Sequence, residues 1–242
     1  MSDPTVLTLL REHASADPAA DLERGVGLLR DVAAGRRPPL LRIYRPAPTL
    51  AFGQRDTRLP GFDDARRLSA QAGFAPVVRA AGGRAAAYHP GTLIVDQIQP
   101  STEAMRGHHG RFQEFGELFA AALRSLGVQA GVGEIPGEYC PGEYSVHGVP
   151  TEGGAPVKLV GTAQRVVAGA WLFTSVVVVT DSEPLREVTT DVYDALGLPL
   201  DPGTVGAAED LVPAQERACL HPEAVAEALL HTWAQAGYRT RG

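Results

Sequence analysis

Residues 157–180 constrain the fold most. Two strongly apolar runs, Leu159 to Val166 and Trp171 to Val179, are joined by only Val167-Ala168-Gly169. Short β-rich runs split by a glycine-bearing turn predict a hairpin. Strands this apolar belong in a sheet that helices cover. Strand signals fill the middle of the chain: Leu40 to Tyr44, Thr49 to Gly53, Ala75 to Arg79, and Ala85 to Gln99 with its Leu93-Ile94-Val95 centre. The turn Arg45-Pro46-Ala47-Pro48 predicts that the first two are neighbouring strands. Helical spacing appears over residues 17 to 34, through Leu22, Val26, Leu29 and Val32, and over 60 to 72. It recurs over 111 to 126, through Phe112, Phe115, Phe119 and Leu123, and the stretch from Pro184 to Tyr238 predicts two or three more helices. Residues 128 to 144 read as irregular. This order predicts an α+β fold, one mixed β-sheet covered by helices, as a single domain over residues 1–242.

The 242 residues suffice for one sizeable core, and the formal charge of −6 argues against a nucleic-acid partner. No stretch reaches the roughly 20 apolar residues of a membrane span. Met1-Ser2-Asp3-Pro4 lacks the layout of a signal peptide, so a cytoplasmic protein is expected. The two cysteines, Cys140 and Cys219, match no metal spacing and predict free thiols and no metal site.

Three segments carry chemistry. Arg79-Ala80-Ala81-Gly82-Gly83-Arg84 follows a predicted strand, and paired glycines allow positive φ and close approach of a ligand to backbone N–H groups. It matches neither a dinucleotide fingerprint nor a P-loop, and a plain tight turn is the competing reading. Tyr139-Cys140-Pro141-Gly142 puts a thiol on a Pro/Gly loop, where a nearby cation favours nucleophilicity, whereas Cys219 lies among helical residues and reads as structural. Lys158 stands out in a chain whose cations are mostly arginine, and it precedes Gly161-Thr162-Ala163-Gln164-Arg165. A strand lysine beside a glycine can hold a ligand oxygen, or it can be a solvated edge lysine. His89 is expected to line the same pocket as the glycine turn; His147 is a candidate base, and His108-His109 are expected in solvent at a helix start.

Together these segments resemble the biotin/lipoate protein ligase superfamily, in particular its lipoate-ligase and octanoyltransferase branch. The first motif reads Arg79-Ala-Ala-Gly82-Gly83-Arg84, then Tyr88-His89-Pro90-Gly91-Thr92-Leu93; the second reads Lys158-Leu-Val-Gly161-Thr162-Ala163-Gln164-Arg165. Arg42 through Gln54 is similar to the family's opening strands, and the likeness covers about residues 20 to 200. Glu134 to Val146, with Tyr-Cys-Pro-Gly at its centre, looks like the cysteine loop of amidotransferases that move octanoyl from the glycine-cleavage H protein to dehydrogenase E2 subunits.

The resemblance implies acyl transfer through a Cys140 thioester, with Lys158 as the second catalytic residue. It implies that Arg79, Gly82, Gly83, Arg84, His89 and Gly91 bind substrate, and that Gly161, Thr162, Ala163 and Gln164 do so from the strand. The implied acyl group is octanoyl or lipoyl, and the implied partners are lipoyl-domain proteins or acyl carrier protein. No cofactor is then needed. An ATP- and Mg-dependent lipoate–protein ligase is the alternative, and a non-catalytic acyl or cofactor binder the third. Ligases of this family usually carry Ser-Gly-Gly-Gly and His-Asp where this chain has Ala81-Gly82-Gly83-Arg84 and His89-Pro90. An insertion at Val149 to Pro156 lengthens the loop before Lys158, and the residues after Tyr238 are expected to be too few for the extra C-terminal domain of many bacterial ligases.

Overall fold

The computed structural model describes residues 5–103 and 107–242, so the reading of Met1–Pro4 lies outside the described residues. The chain runs β1 (Thr5–His13), α1 (Pro18–Ala33), β2 (Leu40–Arg45), β3 (Thr49–Phe52), α2 (Phe62–Gln71), β4 (Ala75–Val78), β5 (Ala86–Tyr88) and β6 (Thr92–Pro100). It continues with α3 (His108–Ser125), β7 (Gln129–Val132), β8 (Val146–Val149), β9 (Val157–Val167), β10 (Ala170–Val178), α4 (Ser182–Leu196), α5 (Pro222–Gln235) and β11 (Tyr238–Arg241). Eight strands form one mixed sheet in the order β11-β1-β2-β6-β10-β9-β8-β7, and β4-β3-β5 form a second, smaller sheet. This is the mixed α+β arrangement expected.

The predicted hairpin is present. β9 and β10 pair antiparallel from Val167↔Ala170 onward, and Gly169 takes a left-handed φ of 87° at the turn. The α1 helix starts where the sequence predicts. Asp17 accepts from the Ala19 and Ala20 N–H groups and Pro18 fills the first turn, whose N–H would have no partner.

Two strand expectations are corrected. Leu40 to Tyr44 and Thr49 to Gly53 are strands but not neighbours: β2 joins the large sheet and β3 the small one. The prolines at 46 and 48 cannot donate to a ladder, and the chain changes sheet there. Likewise 85–99 is not one strand. His89-Pro90-Gly91 breaks it into β5 and β6, again in different sheets. The sequence reading also passed over β1, β7, β8 and β11. β1 pairs with β11, so residues 5–8 meet residues 238–241 from the far end of the chain.

Period-two alternation sorts the large sheet into two faces. Leu41, Ile43, Leu93, Val95, Phe173 and Val177 point to the α3/α5 side, where Phe115, Phe119 and Trp233 fill the core. On the other face one end packs against α1, through Leu40, Ile98 and Leu172. The other end, through Tyr44, Ile94 and Val178, packs against the small sheet and α4. A polar row crosses the sheet between these two apolar ends. Arg42 stands opposite Asp96, and Asp96 opposite Thr174. Arg42 is 1% exposed. It donates to Glu12 at 2.6 Å, Asp96 at 3.0 Å and the Asp21 carbonyl at 3.1 Å, and its guanidinium lies 3.9 Å from the Tyr44 ring centroid. Burial pushes the Asp96 carboxyl above its ordinary value, and Arg42 only partly opposes this.

Removing one partner of a buried pair strands the other. Arg42→Met is expected to lower unfolding free energy by about 3–5 kcal/mol in urea titrations, and Arg42→Met with Asp96→Leu by less. A single transition in that titration is the expected outcome for a chain that folds as one domain.

Candidate active site

The glycine turn leaves β4 at Val78 and returns at β5. It lies so close to β3 that a Cβ on Gly53 would fall 1.9 Å from the Gly83 carbonyl oxygen. Asp56, fully buried, ties the turn down: it accepts from the Gly53 N–H at 2.8 Å and from Arg84 Nη1 at 3.1 Å. Gly83 has φ 100°, and a Cβ there would meet Arg79 Nη2 at 2.6 Å and Cys140 Sγ at 2.9 Å. A side chain is therefore excluded both by conformation and by the thiol.

Cys140 lies on the loop between β7 and β8 with φ 44°, a left-handed conformation that costs a non-glycine residue energy. Two contacts hold it there. Its N–H donates to the Tyr193 hydroxyl at 2.7 Å, and that hydroxyl donates to the Ala85 carbonyl at 3.0 Å, so one α4 side chain clamps the cysteine loop to the end of the glycine turn. Burial pushes the Tyr193 phenol well above its ordinary value, which keeps the proton that this clamp uses. The sulfur itself accepts the Arg84 N–H at 3.1 Å. Arg79 lies beside it and donates to the Arg84 carbonyl at 2.7 Å. Burial works against the Arg79 charge, but Tyr88 and Cys140 outweigh it and hold the guanidinium above its ordinary value. A guanidinium and a backbone N–H are the surroundings a reactive sulfur needs.

Lys158 is the only lysine in the chain and is 1% exposed. Its ammonium donates to Glu138 at 3.1 Å, the Tyr139 carbonyl at 3.0 Å and the Cys140 carbonyl at 2.8 Å. Those three acceptors use all three of its hydrogens. Glu138 is equally committed: the same carboxylate accepts the Ser145 hydroxyl at 2.6 Å, the Gly142 N–H at 3.1 Å and the Ile135 N–H at 3.4 Å. The pair thus closes the cysteine loop on itself and pins it to β9.

Cys140, Gly83, Arg79, Lys158, Gly161 and Thr162 line one cavity of about 310 Å³, with His108, Phe112 and Tyr144 on the α3 side. A second, narrower cavity of about 50 Å³ shares Arg79, Tyr88, Gly161, Thr162 and Val176 with the first. It runs between Leu22, Gly25 and Val26 of α1 and the polar row, with Ala163 on its wall. A thiol on an open cavity that shares a wall with a narrow, partly apolar one suits a reactive carbonyl attached to a chain.

The lipoyl protein ligase A/B catalytic domain matches residues 17–194 of this chain. The chain belongs to that family. An octanoyl-[GcvH]:protein N-octanoyltransferase of Geobacillus kaustophilus is 35% identical over 138 residues, 57% of this chain and 47% of that protein. One of the same name from Anoxybacillus flavithermus is 28% identical over 164 residues, 65% and 56% of the two chains. The chain thus spans about half the length of the curated relatives it matches. The fold matches a T. acidophilum protein described as a lipoate protein ligase and solved with bound lipoic acid: TM-score 0.71, 21% identity, 98% of this chain and 88% of the other. It also matches lipoate-protein ligase A bound with ATP, TM-score 0.67 and 21% identity over 99% and 88%.

In this lipoyl ligase-type domain the sequence-selected residues divide. Arg79, Gly83, Arg84, Cys140, Lys158, Gly161 and Thr162 come together around the first cavity, with Ala163 on the second. Gly82 sits on the exposed outside of the turn. His89 and Gly91 do not reach the cavity. The His89 ring is turned away, with Nε2 2.7 Å from the Asp181 carbonyl and Nδ1 accepting from the Gly91 N–H at 2.9 Å, and it lines a separate groove with Arg45 and Thr180. Gln164 points to the α3 face, where it accepts from Arg111 and donates to the His108 carbonyl, both at 2.8 Å. His147 bonds the Gly133 carbonyl, and Cys219 is exposed rather than buried. Sequence reasoning missed Glu138, Asp56 and Tyr193. Only Glu138 left a signal: a buried lysine needs a carboxylate, and Glu138 is the acid nearest Cys140 upstream.

Glu138→Ala is expected to destabilise the fold by about 3–5 kcal/mol, read from urea unfolding, because it leaves the Lys158 ammonium buried and short of a partner. Gly83→Ala is expected to alter Cys140 alkylation by iodoacetamide at least about tenfold, since its Cβ occupies the space beside Sγ.

Proposed function

We propose that this protein is an acyltransferase that carries an octanoyl or lipoyl group as a thioester on Cys140 and passes it to a lysine of a lipoyl-domain protein. The observation that carries this reading is the sulfur itself, fixed by the Arg84 N–H on the wall of a cavity that shares lining residues with a narrow one bounded by Leu22, Val26 and Leu172. The sulfur attacks the acyl carbonyl carbon of the donor; the S–C bond forms, and the donor's C–N or C–S bond breaks as the leaving group takes up a proton. Backbone N–H groups of the glycine turn are the candidates to hold the developing oxyanion, in place of Lys158, whose hydrogens are all engaged in the structure. The acyl tail extends into the second cavity, against Leu22, Val26 and Leu172.

Relatives named octanoyl-[GcvH]:protein N-octanoyltransferase support octanoyl as the group and a lipoyl-domain protein as the partner. Transfer of this kind draws on the energy of the donor bond, with no cofactor. A cytoplasmic setting, where Cys140 stays reduced, suits it. No helix among the described residues is long and apolar enough to cross a membrane.

Purified protein incubated without ATP with octanoyl-acyl carrier protein or octanoylated glycine-cleavage H protein is expected to gain one octanoyl group by intact mass, and Cys140→Ser to gain none. Modification of a lipoyl domain only with lipoate, ATP and magnesium would overturn the reading in favour of a ligase. Gly25→Leu projects into the second cavity, where even a Cβ would lie 3.2 Å from Asp96 Oδ2. Loading competitions between octanoyl and butanoyl donors are expected to shift toward butanoyl in that variant, by about tenfold or more.

A further inference from the structure

Amide formation at a lysine needs somewhere for a proton to go, and the cavity wall restricts the choice. Lys158 gives its three hydrogens to Glu138 and two loop carbonyls and is walled in. Arg79 is a guanidinium, which accepts no proton. Burial pushes the Tyr139 phenol far above its ordinary value, as it does Tyr88, so both stay protonated. His89 and His147, the histidines that sequence proximity favours, are bonded elsewhere.

His108 is different. It opens α3 on the wall of the cavity that holds Cys140, which Glu143 and the more exposed His109 also line. Gln164 fixes its main chain through the carbonyl at 2.8 Å, and Arg111 in turn fixes Gln164. Its ring meets Phe112 edge-on at 5.2 Å and His109 at 5.4 Å, and Phe112 stacks on Tyr144 of the cysteine loop at 5.9 Å. No group among the described residues hydrogen-bonds either of its ring nitrogens. Among the described residues, the charged and titratable groups that face it are His109 and Arg111 on α3, Glu143 and Tyr144 on the loop, and Cys140, Arg79 and Lys158 on the wall of the same cavity.

We propose that His108 is the proton acceptor for the second half-reaction, in which an incoming lysine amine takes the acyl group from Cys140. This rests on the thioester reading above. The amine nitrogen attacks the thioester carbonyl carbon and the C–N bond forms. The N–H proton passes to a free ring nitrogen of His108. The C–S bond then breaks with its electron pair returning to Cys140 Sγ, which can take the proton back from the imidazolium and restore the thiol. Partial burial, His109 and Arg111 all lower the His108 pKa, so the ring is uncharged and able to accept a proton at neutral pH.

The test separates the two half-reactions. Wild-type and His108→Gln protein are loaded from octanoyl-acyl carrier protein, a thioester donor whose thiolate leaving group needs no proton from His108, and loading and subsequent transfer to an apo lipoyl domain are followed by intact mass from acid to alkaline pH. Expected for His108→Gln are loading at the wild-type rate and transfer slowed about 100-fold at neutral pH. The part of the acid limb that titrates with His108 should be lost, leaving only the fall set by protonation of the incoming lysine amine, while discharge by hydroxylamine, an amine already unprotonated at neutral pH, stays unchanged. Unslowed transfer, or equal slowing of loading, transfer and hydroxylamine discharge, overturns the proposal alone. A wild-type protein that never loads overturns the thioester reading and this one with it.

Discussion

The contact between Lys158 and Glu138 sets the geometry of the site. Both groups are almost wholly buried, and an ammonium or a carboxylate taken out of water this far is tolerable only if every donor and acceptor finds a partner. Here they do. The lysine takes two consecutive loop carbonyls, and the carboxylate collects donors from Ile135, Gly142 and Ser145. The loop therefore closes around a charge pair, while Tyr139 packs into the core of the small sheet. Its reactive residue is held in a left-handed conformation that nothing local would choose. The pair commits the loop to one arrangement, and Tyr193 and the Arg84 N–H then hold the sulfur at the glycine turn.

The second determinant is the polar row through Arg42, Asp96 and Thr174. One face of the large sheet is apolar at both ends and charged in the middle, so α1 and the small sheet each cover an end and leave a passage between them. The narrow cavity is a product of that patterning. Gly161 and Thr162 of β9 line both this cavity and the one that holds Cys140.

Much of this was legible in the sequence. The β9–β10 hairpin, α1, α3 and the residues closest to the thiol all follow from local patterns, because turn chemistry and periodicity are local. Pairings between distant segments were not legible: β1 with β11 spans nearly the whole chain, and β2 and β3 read as neighbours although two prolines send them to different sheets. The histidines show a subtler limit. His89 follows the glycine turn closely, yet its ring is pulled away by the Asp181 carbonyl. His108 lies 32 positions from Cys140 and still shares its cavity. Gln164 could have been placed: with side chains alternating along β9, a residue next to Ala163 faces the other way. Tyr193 could not, since only the packing of α4 brings its hydroxyl to Cys140.

The scarcity of lysine has a chemical meaning beyond loop architecture. Every other basic side chain that could carry a positive charge on this surface is arginine or histidine, and a guanidinium stays protonated and is no nucleophile. The single lysine amine, on the wall of the cavity that holds Cys140, has its hydrogens engaged by Glu138 and two loop carbonyls. In the proposed reaction, an acyl group carried on Cys140 or on a neighbouring copy would therefore meet no free lysine amine of this chain on which to discharge. Self-modification would then be suppressed by composition, and an acyl group so carried would keep its reactivity for an amine brought from outside.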